Sequence, residues 1–280
     1  MWRLIGRISA GMAVLLLGFV GWVYVASESH LRSFPRPPAF AVPIPTDAAA
    51  VERGAHLVQT RGCRGCHGAD LAGQQMWEVA VAPNLPALVR EQTAATFEAA
   101  LRHGIASDGT AMYSMPSYTF LRLRDADVAD IIAYLRSVPV VARELPQPRK
   151  PWLVRMDIAM GRDDVVAGFL YLVPPLHNAP EDDSPLARGE YIAMTACAEC
   201  HGFDLHGSFP WGEGAPNLVI VQAYEFDDFH TLMKTGIALG GRELDMMSGV
   251  ARTRFANFSE QEISDLYAFL RDRAANMLAR

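Results

Sequence analysis

A pair of cysteines separated by two residues and followed at once by a histidine occurs twice in this sequence. The motif runs from Cys63 to His67 and again from Cys197 to His201. The residues that follow also correspond, and the matched segments are His67–Gly73 with His201–Gly207, Ala82–Leu85 with Ala215–Leu218, and Phe97–Ile105 with Phe229–Ile237. Similarity at a fixed spacing is the signature of a repeated structural unit. We therefore interpret the chain as a tandem duplication of one domain.

The composition limits what the two copies can be. Hydrophobic residues make up 50% of the 280 residues and charged residues 20%, a balance typical of a globular chain rather than a disordered one. Four cysteines are too few for a disulfide scaffold. A net charge of −6 argues against nucleic acid as a partner.

The end of each copy has the periodicity of an amphipathic helix. Apolar residues at positions i, i+3, i+4 and i+7 define one face in both copies: Val128, Ile131, Ile132 and Leu135, and Ile263, Leu266, Tyr267 and Leu270. We expect Asp125 to cap the first of these helices, and Ser259 with Glu262 to form a capping box at the second. Shorter helices are expected over 48–59 and 186–195. Little of either copy alternates like a strand, so the predicted fold class is all-α.

The first residues predict a membrane anchor. Residues Ile8–Ser27 carry no charge and follow Arg3 and Arg7. The apolar region of a signal peptide is usually about 7–15 residues long, whereas a spanning helix needs about 20. The length favours a retained transmembrane helix, with cleavage after Ser27 as the alternative. In both cases the arginines stay inside, so we expect a single pass of the bacterial cytoplasmic membrane and a periplasmic body.

Prolines mark the segments between these parts. Five prolines in residues 31–47 indicate an extended tether. The region between the copies is also rich in proline and contains one possible helix, over 153–172. The predicted division of the chain is an anchor over 1–27, a tether over 28–47, a first domain over 48–140, a linker over 141–180 and a second domain over 181–280.

The cysteine motif is the signature of covalent c-type haem attachment. One turn of chain places both sulfurs along one porphyrin edge for thioether bonding, and the next residue then faces the iron. A shared structural zinc would leave both histidines without a role, a thioredoxin-like redox pair belongs beside a strand–helix unit, and a disulfide across two residues constrains little. We therefore expect two haem c groups, with the thioether cysteines and iron-ligating histidines being Cys63, Cys66 and His67, and Cys197, Cys200 and His201.

The register of the repeat selects a second axial ligand. Methionine opposite histidine raises the reduction potential and suits electron transfer. The chain has twelve methionines, but only Met115 and Met247 are methionine in both copies when these are aligned on Gly104 and Gly236. We expect both to ligate iron, although filling gaps in a core is the common role of methionine.

Two further pairs of residues are candidates for supporting the haem. A ligating histidine usually donates its other ring N–H to an acceptor such as a carbonyl, and Pro83 and Pro216 are matched candidates to supply it. Trp77 and Trp211 each lie ten residues beyond their histidine. Their Nε1–H groups are candidates to bind a haem propionate, with core packing as the equal alternative.

On these motifs both copies resemble class I cytochrome c domains, and the whole chain resembles a membrane-anchored diheme cytochrome c. Gly54 and Gly189 stand where the first helix of that family crosses the last. The resemblance covers about 48–140 and 185–275. It implies helices wrapped around each haem, with an exposed edge for electron exchange. The second methionine departs from the pattern because it lacks the proline that follows Met115.

The resemblance implies one-electron transfer rather than catalysis. Such a chain relays electrons between membrane or periplasmic partners, alone or within a respiratory or dehydrogenase complex. The alternative is a diheme enzyme such as a peroxidase or thiosulfate dehydrogenase, which needs one haem with an open or unusual sixth position. Residues 48–140 hold eight basic and nine acidic residues, whereas 181–280 hold eight and sixteen. The second domain is thus either suited to a basic partner such as a basic cytochrome or simply well solvated.

Overall fold

The computed structural model describes residues 2–77, 80–162, 165–178, 182–207 and 215–278, without the side chain of Trp77. Its helices are α1 Trp2–Leu31, α2 Ala48–Thr60, α3 Cys63–His67, α4 Leu85–Glu91, α5 Ala94–His103, α6 Ser117–Phe120, α7 Asp125–Ser137, α8 Trp152–Ala159, α9 Pro185–Ile192, α10 Ala198–His201, α11 Phe226–Thr235, α12 Asp245–Thr253 and α13 Glu260–Leu278. Short 3-10 helices cover Val166–Leu172, Leu218–Ala223 and Phe255–Asn257, and a π-helical turn covers Ala193–Cys197. The strands pair as two antiparallel hairpins, β1 Gln74–Trp77 with β2 Ala80–Ala82 and β3 Ile237–Ala238 with β4 Arg242–Glu243. The all-α prediction is confirmed.

Each copy is organised around the crossing of its first and last helices. In the first copy α2 packs on α7, and in the second α9 packs on α13. A Cβ atom on Gly54 would stand 2.0 Å from the Asp130 carbonyl oxygen, and one on Gly189 would stand 2.1 Å from that of Asp265. Only glycine permits this approach, so the expected place of both glycines at the helix crossing is confirmed.

The two terminal helices begin differently. At α13 the N–H of Glu262 donates to Ser259 Oγ at 3.2 Å, and the N–H of Ser259 donates to a Glu262 carboxylate oxygen at 2.8 Å, which confirms the capping box. The cap assigned to Asp125 is wrong, because Asp125 is the first residue of α7 and Arg124 occupies the cap position without a side-chain bond. An acidic side chain in the first turn still favours the positive end of the helix dipole.

The N-terminal helix α1 has 30 residues and is long and apolar enough to cross a membrane or to serve as a signal sequence. It continues through Leu31, beyond the limit at Ser27 that the charges suggest. One face at its C-terminal end, formed by Val23, Ser27 and Leu31, is buried. The proline-rich segment that follows is extended, and its Phe40 and Ile44 pack on the core of the first domain.

The linker packs against the first domain. It forms α8 and the 3-10 helix Val166–Leu172 in place of the one possible helix over 153–172. The two linker helices join α1 and the first domain in one apolar cluster, whose buried members are Leu31, Ile105, Ala111, Ile158, Val165 and Ala167. The linker therefore fixes the end of α1 to the first domain.

Candidate haem-attachment sites

The first cysteine motif forms a single helical turn, α3. His67 is only 5% exposed, and its Nδ1–H donates to the carbonyl oxygen of Pro83 at 2.9 Å. Burial lowers the pKa of His67, and the hydrogen bond to Pro83 opposes that shift. A neutral imidazole whose Nδ1 is engaged in this way has Nε2 available as a metal-ligating atom.

The second motif repeats this arrangement. The π-helical turn Ala193–Cys197 leads into α10, which ends at His201. The Nδ1–H of His201 donates to the carbonyl oxygen of Pro216 at 2.8 Å. Burial lowers the pKa of His201 while the bond to Pro216 raises it. Each matched proline is thus hydrogen-bonded to the histidine of its own copy.

The loop after each histidine has the same backbone conformation in both copies. The N–H of Gly73 donates to the carbonyl of the motif histidine at 2.8 Å, and that of Gly207 does so at 2.7 Å. Leu71 and Leu205 are both buried and both have φ of 60°. Such a left-handed conformation costs a non-glycine residue about 1–3 kcal/mol. Its occurrence at equivalent leucines shows that both loops obey the same constraint.

The structure brings the cysteine and the selected methionine of each copy to one apolar core. Cys63 and Met115 pack on the core of the first domain, and Cys197 and Met247 pack on that of the second. Met115 lies in irregular backbone before α6, whereas Met247 belongs to α12. The neighbouring Met246 is 75% exposed, so only the methionine selected by register faces the core.

The zinc interpretation lacks a suitable group of ligands. Across the ranges described above, no three His, Cys, Asp or Glu side chains are grouped so that they could hold a metal ion. Burial raises the pKa of Cys63 to about 11 and that of Cys197 to about 12. Zinc binds the thiolate, and these surroundings favour the protonated thiol.

The two tryptophans are not placed by the structure. Trp211 lies outside the described residues, and only the backbone of Trp77, at the end of β1, is described. Their assignment to haem propionates remains a prediction.

Arg254 connects the two cysteine motifs across the interface between the domains. Its Nη1–H donates to a carboxylate oxygen of Glu199 at 2.7 Å, and Glu199 lies between the two cysteines of the second motif. The same guanidinium covers Gly62, where a Cβ atom would stand 2.2 Å from Arg254 Cζ. Gly62 immediately precedes Cys63. One side chain therefore contacts the turns of both motifs.

Arg61 makes a second connection between the motifs. It is 4% exposed, and its Nε–H donates to Thr195 Oγ1 at 3.0 Å. The guanidinium lies 5.9 Å from the ring centroid of Tyr191 and 6.0 Å from that of Phe258. The sequence analysis missed both Arg61 and Arg254. Each is distinguished by contacts to the other copy, and no local spacing reports such contacts.

The cytochrome c family model matches residues 51–139 and again residues 186–274. The chain therefore belongs to the cytochrome c family, with two tandem domains of that family, and membership implies covalently bound haem c. The histidine and cysteine geometry described above lies within both matched ranges.

Several relatives are cytochrome subunits of dehydrogenases. The cytochrome c subunit of alcohol dehydrogenase (quinone) from Gluconacetobacter polyoxogenes is 28% identical over 195 residues, covering 62% of this chain and 41% of that protein. The fructose dehydrogenase cytochrome subunit of Gluconobacter japonicus is 25% identical over 285 residues, covering 89% and 57%. The gluconate 2-dehydrogenase cytochrome c subunit of Pantoea cypripedii is 27% identical over 171 residues, covering 55% and 38%. The chain thus spans about half the length of these relatives.

Proposed function

We propose that this chain is an electron-transfer cytochrome subunit of a membrane-bound dehydrogenase complex, with one haem c in each domain. The observation that carries the proposal is the repeated site. In both copies a C-x-x-C-H turn directs the histidine Nδ1–H to a proline carbonyl, at 2.9 Å and 2.8 Å. The names of the relatives supply the dehydrogenase context.

The residues present in each copy fit a haem c. The two cysteines would hold the porphyrin edge, the histidine would bind iron through Nε2, and Met115 or Met247 would supply the thioether on the opposite side. When bound, the haem supplies one-electron redox chemistry at iron. The chain contributes a fixed histidine tautomer through Pro83 and Pro216, and an apolar core that limits access of water. A stable ligand set in both oxidation states favours transfer over catalysis.

The contacts between the motifs support an internal relay. Arg254 touches the turns of both motifs, and Arg61 is buried between residues of the second domain. These contacts hold the two attachment turns in one fixed arrangement. An electron that enters at one domain can then leave at the other without a rearrangement of the chain.

Copurification tests the dehydrogenase context. We expect the full chain, isolated from native membranes in mild detergent, to carry with it a dehydrogenase subunit whose substrate reduces the haem absorption bands. Isolation as a single chain whose haems respond to no dehydrogenase substrate would contradict this assignment. A resting spectrum with five-coordinate high-spin haem, together with peroxide turnover or thiosulfate oxidation, would instead favour the diheme enzyme.

The acidic second domain supports a basic redox partner, as in the alternative of electrostatic docking. Attraction between opposite charges accelerates association, and salt screens it. The electron-exchange rate with a basic soluble cytochrome should therefore fall steeply as ionic strength rises. A rate that is independent of salt would leave the acidic surface as a solvated face only.

We also propose that α1 is retained and spans the cytoplasmic membrane, which places both domains on the periplasmic side. Its exposed apolar length and the preceding Arg3 and Arg7 support this topology. Carbonate washing of membranes should leave the full chain in the pellet. Release into the supernatant would indicate that the segment acts as a cleaved signal.

A further inference from the structure

The first linker helix, α8, lies along the apolar part of α1. The ring of Trp152 meets Phe19 edge-on with centroids 6.2 Å apart, and Phe19 in turn stacks on Trp22 at 5.8 Å. One turn further along α8, the guanidinium of Arg155 lies 4.4 Å from the ring centroid of Tyr24. The N-terminal end of α8 therefore points toward the membrane-spanning part of α1.

Arg155 fixes the depth of this contact. Its Nη1–H donates to Ser27 Oγ at 3.0 Å and lies 3.4 Å from a Glu28 carboxylate oxygen. Glu28 is the first charged residue after Arg7. A helix rises about 1.5 Å per residue, so Phe19 lies about 13 Å from Glu28 along α1. Trp152, which touches Phe19, is consequently held on the membrane side of Glu28.

The residues at this end of α8 are apolar yet uncovered by protein. Leu153 is 65% exposed and Trp152 is 40% exposed. Arg149 and Lys150 precede them, with Pro151 between. Tryptophan is enriched at the membrane–water interface, and basic side chains near the surface are attracted to anionic headgroups. The segment thus has the chemistry of an interfacial insertion beside a spanning helix.

We propose that residues 149–153 enter the headgroup region of the outer leaflet, as a second membrane contact of this chain. The inference rests on the proposed spanning role of α1. A single helix allows the body to rotate about the helix axis, whereas two contacts fix which side of the first domain faces the bilayer. The occupant of the exposed Trp152 and Leu153 surface is then phospholipid, and its orienting effect falls on the domain that carries Cys63 and His67.

A depth measurement with nitroxide labels tests this insertion. The full chain with its haems attached receives a single new cysteine, by Leu153→Cys, and is reconstituted in vesicles of phosphatidylethanolamine and phosphatidylglycerol. The ratio of oxygen to water-soluble nickel accessibility reports depth in the bilayer. Val14→Cys, in the apolar part of α1 and 68% exposed, serves as the membrane reference, and Met246→Cys, 75% exposed on the second domain, serves as the aqueous one. The wild-type chain checks that its own cysteines take no label.

We expect the ratio at position 153 to lie clearly above that at 246 and toward that at 14. A ratio at 153 equal to that at 246, with 14 in the bilayer, overturns the insertion alone and leaves the spanning helix intact. Low accessibility to both reagents at 153 also overturns it, because that result indicates burial against another protein subunit. An aqueous ratio at position 14 overturns the spanning role of α1, and the insertion with it.

Discussion

Tyr191 of the second domain donates its hydroxyl hydrogen to the carboxylate of Asp127 in the first domain. The equivalent residues make the reverse contact, since His56 Nε2 of the first domain lies 2.9 Å from the carboxylate of Glu262 in the second. His56 and Tyr191 correspond between α2 and α9, as Asp127 and Glu262 do between α7 and α13. Reciprocal contacts between equivalent positions define an isologous interface. The duplicated domains therefore pack in the manner of a two-fold dimer.

Removal of the Tyr191 hydroxyl should weaken this interface. In Tyr191→Phe the Asp127 carboxylate loses a donor, and a hydrogen bond to a charged group contributes about 1.5–3 kcal/mol. We expect the free energy of unfolding, measured by urea denaturation of the holoprotein, to fall by an amount in that range. Tyr171→Phe is the matched control, because Tyr171 is 81% exposed. Equal stability of the two variants would contradict the importance of the contact.

The helix crossings should not tolerate a methyl group. Gly54→Ala and Gly189→Ala each place a Cβ atom about 2 Å from a backbone carbonyl oxygen, and overpacking of this kind costs about 1–3 kcal/mol or more. We expect lower melting temperatures for both. Gly249→Ala is the control: Gly249 lies in α12 with no atom within 4 Å of its added Cβ. That variant should be neutral or stabilised, since alanine is the better helix former. Stability unchanged at position 54 or 189 would exclude the close crossing.

The sequence predicts what repeats along it and misses what depends on how the copies meet. The cysteine motifs, the helix crossing at Gly54 and the capping box at Ser259 follow from local spacing, and the structure agrees with the expected fold class. Arg61 looks like an ordinary charged residue in sequence, yet it is buried because aromatic rings of the other copy cover it. The linker was expected to contain one helix, but its two helices are shaped by packing on α1.

The sixth-ligand assignment predicts a stepwise change in the near-infrared spectrum. Ferric haem with a methionine thioether on iron shows a sulfur-to-iron charge-transfer band. We expect Met115→His and Met247→His each to remove part of this band, and the double variant to remove it fully. Met246→His is the control, because Met246 is 75% exposed. An unchanged band in either single variant would contradict the ligand chosen for that domain.

Stability at acidic pH should depend on Glu190, which holds the end of the linker. Its carboxylate accepts the backbone N–H groups of His177 at 2.7 Å and of Asn178 at 2.9 Å. Burial alone would raise the pKa of Glu190, but these and the side-chain bonds outweigh it, so the pKa is lowered from 4.5. A lowered pKa contributes stability above the unfolded value, and that contribution is lost as the pH falls through the folded value.

Glu190→Gln should therefore lower the free energy of unfolding at pH 7 by about 2 kcal/mol and flatten its decline below about pH 4.5. Denaturation at a series of pH values measures both effects. Glu144→Gln, at an exposed position of the linker, controls for the loss of one negative charge. A wild-type acid slope retained in Glu190→Gln would show that the carboxylate does not carry this dependence.

The number of haems bound per chain tests the central claim most directly, namely that each cysteine motif attaches one haem c. Intact mass and pyridine haemochrome absorbance of the purified full chain give this number, and acid–acetone extraction shows whether attachment is covalent. The predicted result is two non-extractable haems in the wild type, and one in each of the double variants Cys63→Ala/Cys66→Ala and Cys197→Ala/Cys200→Ala. Extractable haem in the wild type, or two covalent haems remaining in either double variant, would contradict the assignment of one haem to each motif.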